Sequence, residues 1–312
     1  MKKISIVSSC YNEEGNIDTL WQRIKAQIEK FSGKYEFEYI LLDNCSSDNT
    51  ALKLRELASF DNRVKVILNT RNFGHIRSPY WGIIQSSGDA VIYLASDLQD
   101  PPELIEDFIK KWEEGYKVVL GVKKQTEETW LLSNVRKFYY YLLNKISDDG
   151  TNLVKNATGF GLFDKKVIDI IRELDDPYPY LRGLVCEIGF DKALVEFSQP
   201  SRKVGFTKNN FYTLYDNAMI GFVKHSKMPL RLMALGGFLM SIITFLLGSL
   251  YLILKLIFWS SFSIGIAPII ISILFLGSIQ LFCLGVLGEY IGAIYTRVDR
   301  KPIVVEKERI NF

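Results

Sequence analysis

Two apolar stretches in the C-terminal third constrain this chain more than anything else in it. Leu232 to Phe258 carries one charge, Lys255 near its end, and Ile264 to Leu287 has Gln280 as its only strongly polar residue. At ~1.5 Å per residue, either one as a helix is longer than the ~30 Å hydrocarbon core of a bilayer. Buried core helices of that length without charges are rare, so the pattern predicts two transmembrane helices, with Lys255 snorkelling to the headgroups. The connection Trp259-Ser260-Ser261-Phe262-Ser263 has no basic residue. Lys224, Lys227 and Arg231 precede the first span, and Arg297, Arg300 and Lys301 follow the second. By the positive-inside rule both flanks are cytoplasmic and the short loop faces out. The expected localisation is therefore the cell (plasma or inner) membrane, multi-pass, with the N-terminal domain in the cytoplasm.

Ahead of the spans, short apolar runs alternate with amphipathic stretches. Ile4–Ser8, Tyr39–Asp43, Val64–Leu68, Ala90–Ala95 and Val118–Val122 are predicted strands. Ile17–Phe31, Asn49–Ser59, Ile76–Ser86 and Glu103–Glu114 are predicted helices between them. Such alternation argues for an α/β domain around a largely parallel sheet. The apolar start, Ile4 to Cys10, runs into Tyr11-Asn12-Glu13-Glu14 and is too short for a signal peptide, so it is predicted as a first strand. Residues 1–210 form the expected cytoplasmic domain, 211–229 an interfacial amphipathic helix, 230–290 the two spans, and 291–312 a cytoplasmic tail. A net charge of +3 excludes a nucleic-acid binder that needs a broad basic surface. Four cysteines (Cys10, Cys45, Cys186, Cys283) lie far apart and read as reduced thiols.

Polar clusters follow three of the predicted strands: Ser8-Ser9-Cys10-Tyr11-Asn12-Glu13-Glu14, Asp43-Asn44-Cys45-Ser46-Ser47-Asp48-Asn49-Thr50, and Ala95-Ser96-Asp97-Leu98-Gln99-Asp100-Pro101-Pro102-Glu103. Ligands of open α/β sheets bind at the carboxyl ends of strands. Asp97 and Gln99 therefore sit where chemistry is usually done, with oxygen donors that suit Mg²⁺ or Mn²⁺ against a nucleotide diphosphate. A carboxylate such as Asp43 can accept hydrogen bonds from a ribose or base, and Tyr11 can stack on a base. The alternative for each cluster taken alone is turn and cap chemistry, with Asp97 and Asp100 capping the helix that Pro101 and Pro102 open. Recurrence at the ends of three strands of one sheet favours the functional reading.

Tyr11-Asn12-Glu13-Glu14, Asp43-x-x-Ser46-x-Asp48-x-Thr50, Arg71-Asn72-Phe73-Gly74 and Asp97-Leu98-Gln99-Asp100-Pro101-Pro102-Glu103, in that order, resemble glycosyltransferase family 2. The branch they resemble is the polyprenyl-phosphate glycosyltransferases, which include dolichol-phosphate mannose synthases and bactoprenol glucosyltransferases. The resemblance covers nearly the whole chain. It implies a GT-A (Rossmann-like) fold with two C-terminal transmembrane helices, a UDP- or GDP-linked sugar donor, a divalent cation, inversion at the anomeric carbon and a polyprenyl (undecaprenyl) phosphate acceptor. Carried over, Tyr11, Glu13 and Asp43 line the nucleoside pocket, Asn72 and His75 lie on the donor side, and Asp97 and Gln99 hold Mg²⁺ or Mn²⁺. The family's D-x-D motif is Ala95-Ser96-Asp97 here, so one of its carboxylates is missing and a weakened metal site is expected.

On the acceptor side, Gly161 stands where relatives often carry an arginine, so that anion-binding role is absent or supplied elsewhere. Tyr180-Leu181-Arg182-Gly183-Leu184 resembles the family's acceptor-side loop. Arg202-Lys203-Val204-Gly205-Phe206-Thr207-Lys208 concentrates cations just before the membrane. Arg202 and Lys208, with Arg136 less directly, are the candidates to steer a lipid phosphate; a basic segment drawn to anionic lipid is the compatible alternative. A polyprenyl phosphate is already an anionic nucleophile and needs positioning more than deprotonation. Two other readings are a transferase acting on a saccharide hydroxyl and a catalytically weak membrane scaffold. Self-association into a homo-oligomer is compatible with all of them.

Overall fold

The structure, a computed structural model, describes residues 1–124, 154, 156–176, 179–200, 228–258, 266–298 and 301–312. The expectations placed on Arg136, on Arg202 to Lys208, on residues 211–227 of the interfacial helix and on the 259–263 loop fall outside these residues. The N-terminal part alternates β1 (Lys2–Cys10), α1 (Ile17–Lys30), β2 (Tyr35–Asp43), α2 (Thr50–Phe60), β3 (Val64–Asn69), α3 (Gly74–Gln85) and β4 (Ala90–Tyr93). A short 3₁₀ turn, Pro102–Leu104, leads into α4 (Ile105–Glu113), and β5 (Val118–Lys123) follows. Proline at the first position of that turn matches its preset φ and missing N–H.

Beyond β5 come β6 (Ala157–Asp164), α5 (Lys165–Leu174), α6 (Leu181–Glu187) and β7 (Lys192–Phe197). The sheet is largely parallel, with two of its eight strands reversed. Its order is β7-β5-β6-β4-β1-β2-β3-β8, where β8 is Glu306–Ile310, and both β6 and β8 run against their neighbours. β1 to β4 are mutually parallel and adjacent, so their carboxyl ends form one continuous rim.

Helices cover both faces, which is why the central strands are apolar on both sides. One face packs Ile4, Ile6, Tyr39 and Leu41 under α1, α2 and α4 through Ile24, Leu54 and Phe108. The other packs Val7, Ile40 and Leu42 under α3, α5 and α6 through Tyr80, Ile171 and Val185. A fully buried isoleucine such as Ile4 or Ile6 contributes about 1.5–3 kcal/mol.

Two long helices then follow, α7 (Met228–Ile257, 30 residues) and α8 (Ile266–Val298, 33 residues). At ~1.5 Å per residue they reach about 45 and 50 Å. Within the described residues, one stretch, Phe275–Tyr295, is long and apolar enough by length and composition to cross a membrane. Many of its large side chains face outward, with Leu281 72% exposed and Phe282 69%, while Tyr290 is buried.

The C-terminal residues differ from a free tail. Residues 291–298 continue α8, Ile303 and Val304 are buried in the α/β core, and β8 extends the sheet at the β3 edge. The α/β sheet is thus completed by residues that follow the second long helix.

Candidate active site

The rim brings three of the polar clusters together because β1 lies between β2 and β4. Cys10 pairs with Asp43 in register, and the Asn44 N–H donates to the Cys10 carbonyl at 2.9 Å. The two loops then interlock. The Asn12 N–H donates to Ser46 Oγ (2.9 Å), the Glu13 N–H to Thr50 Oγ1 (2.9 Å) and the Glu14 N–H to Asp48 Oδ2 (3.2 Å). In return the Ser47 N–H donates to Asn12 Oδ1 at 2.8 Å and the Asn49 N–H to Glu14 Oε2 at 2.9 Å. The D-x-x-S-x-D-x-T spacing therefore has a local physical meaning: it presents one acceptor to each successive N–H of the β1 loop.

Asp43 is buried, and both its oxygens accept from the Ser46 N–H at 3.2 Å. Burial raises its pKa, against the lowering effect of the hydrogen bonds from Ser46. Tyr11 and Glu13 are half-buried beside it, and Glu13 Oε2 accepts from Asn16 Nδ2 at 2.6 Å where α1 begins. The structure thus gathers Tyr11, Glu13 and Asp43, while assigning the two carboxylates structural hydrogen bonds as well.

Asn72 and His75 stand at the start of α3, on the neighbouring part of the rim. Asn72 Oδ1 accepts from the Gly74 N–H (2.7 Å) and from Asn44 Nδ2 (2.8 Å), and His75 is exposed in the first helical turn. Asn44 is buried and joins this loop to β2. The residue passed unnoticed as a site residue in the sequence because a lone asparagine in a turn carries no distinguishing pattern.

The third loop follows β4. Ser96 Oγ donates to the Ser9 carbonyl at 2.8 Å and ties it to β1. Asp97 is half-buried and its Oδ1 accepts from the Gln99 N–H at 3.1 Å, so Asp97 and Gln99 share one tight turn. Asp100 lies behind them, buried, with Oδ2 accepting from the Ala95 N–H at 3.0 Å. Burial, reinforced by the nearby Asp97 charge, pushes the Asp100 carboxyl up to about 6. The D-x-D motif that lacks a carboxylate at Ala95 is thus backed by another one reaching the same backbone position.

Each of the three loops holds one non-glycine residue in left-handed backbone: Asn12 (φ 56°), Cys45 (φ 62°) and Leu98 (φ 61°). For asparagine this is common, but for leucine it costs on the order of 1–2 kcal/mol. Leu98 packs against the buried core beneath the rim, which holds the conformation in place. Strain of this kind persists where a loop must present its side chains in one arrangement.

Gly161 lies in the middle of β6, paired to Tyr93 and Leu120. A Cβ there would stand 2.2 Å from the Val119 carbonyl oxygen. No arginine fits at this position on this backbone, so an anion-binding side chain has to come from elsewhere.

Residues 5–171, more than half of the chain, match the pattern of glycosyl transferase family 2. The chain belongs to glycosyl transferase family 2. This family 2 member is 37% identical over 302 residues to an uncharacterized glycosyltransferase of Bacillus subtilis, covering 96% of this chain and 92% of that protein. It is 33% identical over 307 residues to a prophage-derived bactoprenol glucosyl transferase of Shigella flexneri, covering 98% of each. Among solved structures, glucosyl-3-phosphoglycerate synthase from Mycobacterium tuberculosis, in complex with Mn²⁺, UDP-glucose and phosphoglyceric acid, is similar with a TM-score of 0.48. The identity is 17%, over 71% of this chain and 78% of that one.

The α/β sheet is GT-A-like, and the rim of this glycosyltransferase is suited to a hard cation. Among the described residues no three His, Cys, Asp or Glu side chains converge on one point. The rim instead offers oxygen donors from Asp97 and Gln99. Mg²⁺ and Mn²⁺ accept such a sparse set, because water and substrate phosphates complete their shells. The residues present fit such an ion.

Proposed function

We propose that this family 2 enzyme transfers a sugar from a nucleotide-sugar donor to a polyprenyl phosphate at the cytoplasmic face of a membrane, with inversion at the anomeric carbon. The observation that carries this reading is the extent of the similarity to the Shigella bactoprenol glucosyl transferase. It spans 98% of both chains and so includes α7 and α8 as well as the sheet. In this reading both helices span the bilayer, in keeping with the apolar residues that α8 turns outward and with the basic residues flanking the pair.

A phosphate oxygen of the lipid attacks C1 of the sugar as the bond from C1 to the nucleoside diphosphate oxygen breaks. The electron pair leaves with the diphosphate and the sugar keeps its new bond on the opposite face. No proton has to be removed from the nucleophile, which suits a rim whose only described histidine is His75 at the exposed start of α3. Tyr11, Glu13 and Asp43 hold the nucleoside. Asn72 and His75 flank the donor, next to the amino end of α3, where unsatisfied N–H groups favour an anion. Asp97 and Gln99 would hold Mg²⁺ or Mn²⁺, which when bound supplies positive charge to the departing diphosphate. Arg202 and Lys208 guide the lipid phosphate toward C1.

Purified protein supplied with undecaprenyl phosphate, Mg²⁺ or Mn²⁺ and a panel of UDP- and GDP-sugars tests the reading. The expected result is one lipid-linked monosaccharide, formed from one donor. Absence of product across the panel would overturn the proposal. Asp97→Ala is expected to lower turnover at least ~100-fold. The same variant should lose the cation dependence of nucleotide binding in calorimetry; an unchanged rate would remove Asp97 from the site.

A further inference from the structure

The path of the chain through its sheet says which side of the domain meets the bilayer. β1 to β4 run toward the rim that carries Tyr11, Asp43, Asn72 and Asp97. β6 is antiparallel to both β4 and β5, so β5 runs with β1 to β4, and β7, parallel to β5, does too. Phe197, the last residue of β7, pairs with Lys123 at the carboxyl end of β5, and its carbonyl accepts from the Lys124 N–H at 2.9 Å. The chain therefore leaves the sheet toward α7 from the rim end of one edge.

It returns at the rim end of the other edge. β8 is antiparallel to β3, with Glu306 opposite Asn69 and Ile310 opposite Val66, so it enters at the carboxyl end of β3 and runs away from the rim. The entry is clamped: the Val305 carbonyl accepts both the Thr70 N–H and the Thr70 hydroxyl, each at 3.0 Å. Thr70 is the first residue of the loop that contains Asn72 and leads to His75. Trp81 Nε1 donates to Glu306 Oε1, and Arg309 Nη2 donates to Gln85 Oε1 at 2.7 Å, so the returning strand also grips α3. Farther along, Arg55 forks onto Glu308 at 2.6 and 2.5 Å, and Asn311 Nδ2 donates to the Ala58 and Val64 carbonyls at 2.7 and 2.9 Å.

Between the end of α8 at Val298 and the buried Ile303, a fully extended chain covers at most ~17 Å. The end of α8 is therefore close to the β3 side of the rim. We infer that the 302–312 segment is a second membrane mount: it fixes the height and tilt of the rim over the bilayer and so presents the reaction centre to a lipid headgroup. The part of this inference that concerns lipid transfer rests on the function proposed above. The part that concerns rim height rests only on the placement of α7 and α8 in the bilayer, and not on the transfer reaction.

Flexible Gly/Ser insertions of 10 and 20 residues between Lys301 and Pro302 test it, because they leave β8 its own sequence while releasing the rim from α8. A 20-residue insertion of this kind has an end-to-end distance of roughly 25 Å. Transfer to undecaprenyl phosphate in vesicles is expected to fall at least ~10-fold and further with the longer insertion, as the effective concentration of headgroup at the rim drops. Donor affinity, and transfer to a short-chain prenyl phosphate dissolved in detergent, should stay within about twofold, since neither needs the mount. An unchanged rate in vesicles would overturn the inference. So would equal loss in both assays, which would make the segment a part of the fold alone.

A readout without turnover separates this inference from the proposed function. Cys45 is exposed on the rim, and a fluorophore placed there in a Cys283→Ser background reports rim height through quenching by spin-labelled headgroups. Strong quenching in the parent, reduced in both insertion variants, is the expected result even if no donor proves active. Weak quenching in the parent, or equal quenching in all three proteins, would overturn the inference.

Discussion

Asn44 uses every hydrogen-bonding position of its side chain inside the rim. Its Oδ1 accepts from the Phe73 N–H (2.9 Å) and from Asn69 Nδ2 (3.2 Å), while its Nδ2 donates to Asn72 Oδ1 (2.8 Å) and to the Gly74 carbonyl (3.3 Å). Removing the amide leaves a buried N–H at Phe73 without its acceptor, a loss worth about 1–3 kcal/mol. It also unties the 71–75 loop from β2. Asn44→Ala is therefore expected to lower stability by about 2 kcal/mol and to weaken donor binding several-fold, with thermal unfolding and nucleotide titration as the measurements. A variant with parental donor affinity would show that β2 does not hold the loop in place. The motif residues of the candidate site were legible because they are polar groups at strand ends, where packing does not ask for them. The bonds of Asn44 and Ser96 were not, because each reaches backbone across a gap that only the fold closes. Gly161 shows why its place in β6 carries no side chain. What looked like a missing side chain is a position where two strands approach too closely for any.

The parallel strands and their helices were readable because apolar runs and amphipathic stretches alternate cleanly from Ile4 to Val122. The strands past Lys123 were not. β6 carries glycines at 159 and 161 that break its apolar run, and β8, Glu-Lys-Glu-Arg-Ile, has the charge of an edge strand and no alternation to mark it. At the end of the sheet opposite the rim, Glu38 on β2 binds its flanking strands together. It accepts from Ser5 Oγ at 2.5 Å, from the Ser87 N–H at 2.8 Å, and pairs with Lys3 and Lys65, each at 2.8 Å. Burial raises its pKa, but Lys3, Lys65 and Ser5 outweigh it and bring the carboxyl down to about 2 from 4.5. A depressed folded pKa means stability that is fully present above the unfolded value and lost as pH falls through the folded one. Glu38→Gln should therefore be less stable than the parent by about 3 kcal/mol at pH 7, with the gap narrowing below pH ~4.5 and closing near pH ~2. Melting temperatures across that range check it; a constant gap would mean that packing at Glu38, not its charge, accounts for the loss.

For the molecule as a whole, the sheet that performs the chemistry is incomplete until the chain has passed through both long helices. Ile303 and Val304 are 7% and 4% exposed, and each buried aliphatic of this size contributes about 1.5–3 kcal/mol. Deleting 302–312 would remove both and uncover the backbone edge of β3 from Val66 to Asn69, an invitation to edge-to-edge pairing with other chains. Typical domain stabilities are about 5–15 kcal/mol, so the deletion consumes a large share of what holds this domain together. A chain ending at Lys301 is expected to aggregate or melt well below the parent, although every residue of the proposed donor site is still present. A synthetic peptide of residues 302–312, added in trans, should restore nucleotide binding by supplying the missing strand. Charge favours the pairing: Glu308 would meet Arg55, and Glu306 would again accept from Trp81. If the truncated protein stays monodisperse with parental melting temperature and nucleotide affinity, β8 is dispensable to the sheet. The dependence of the rim on the chain beyond α8 would then be lost.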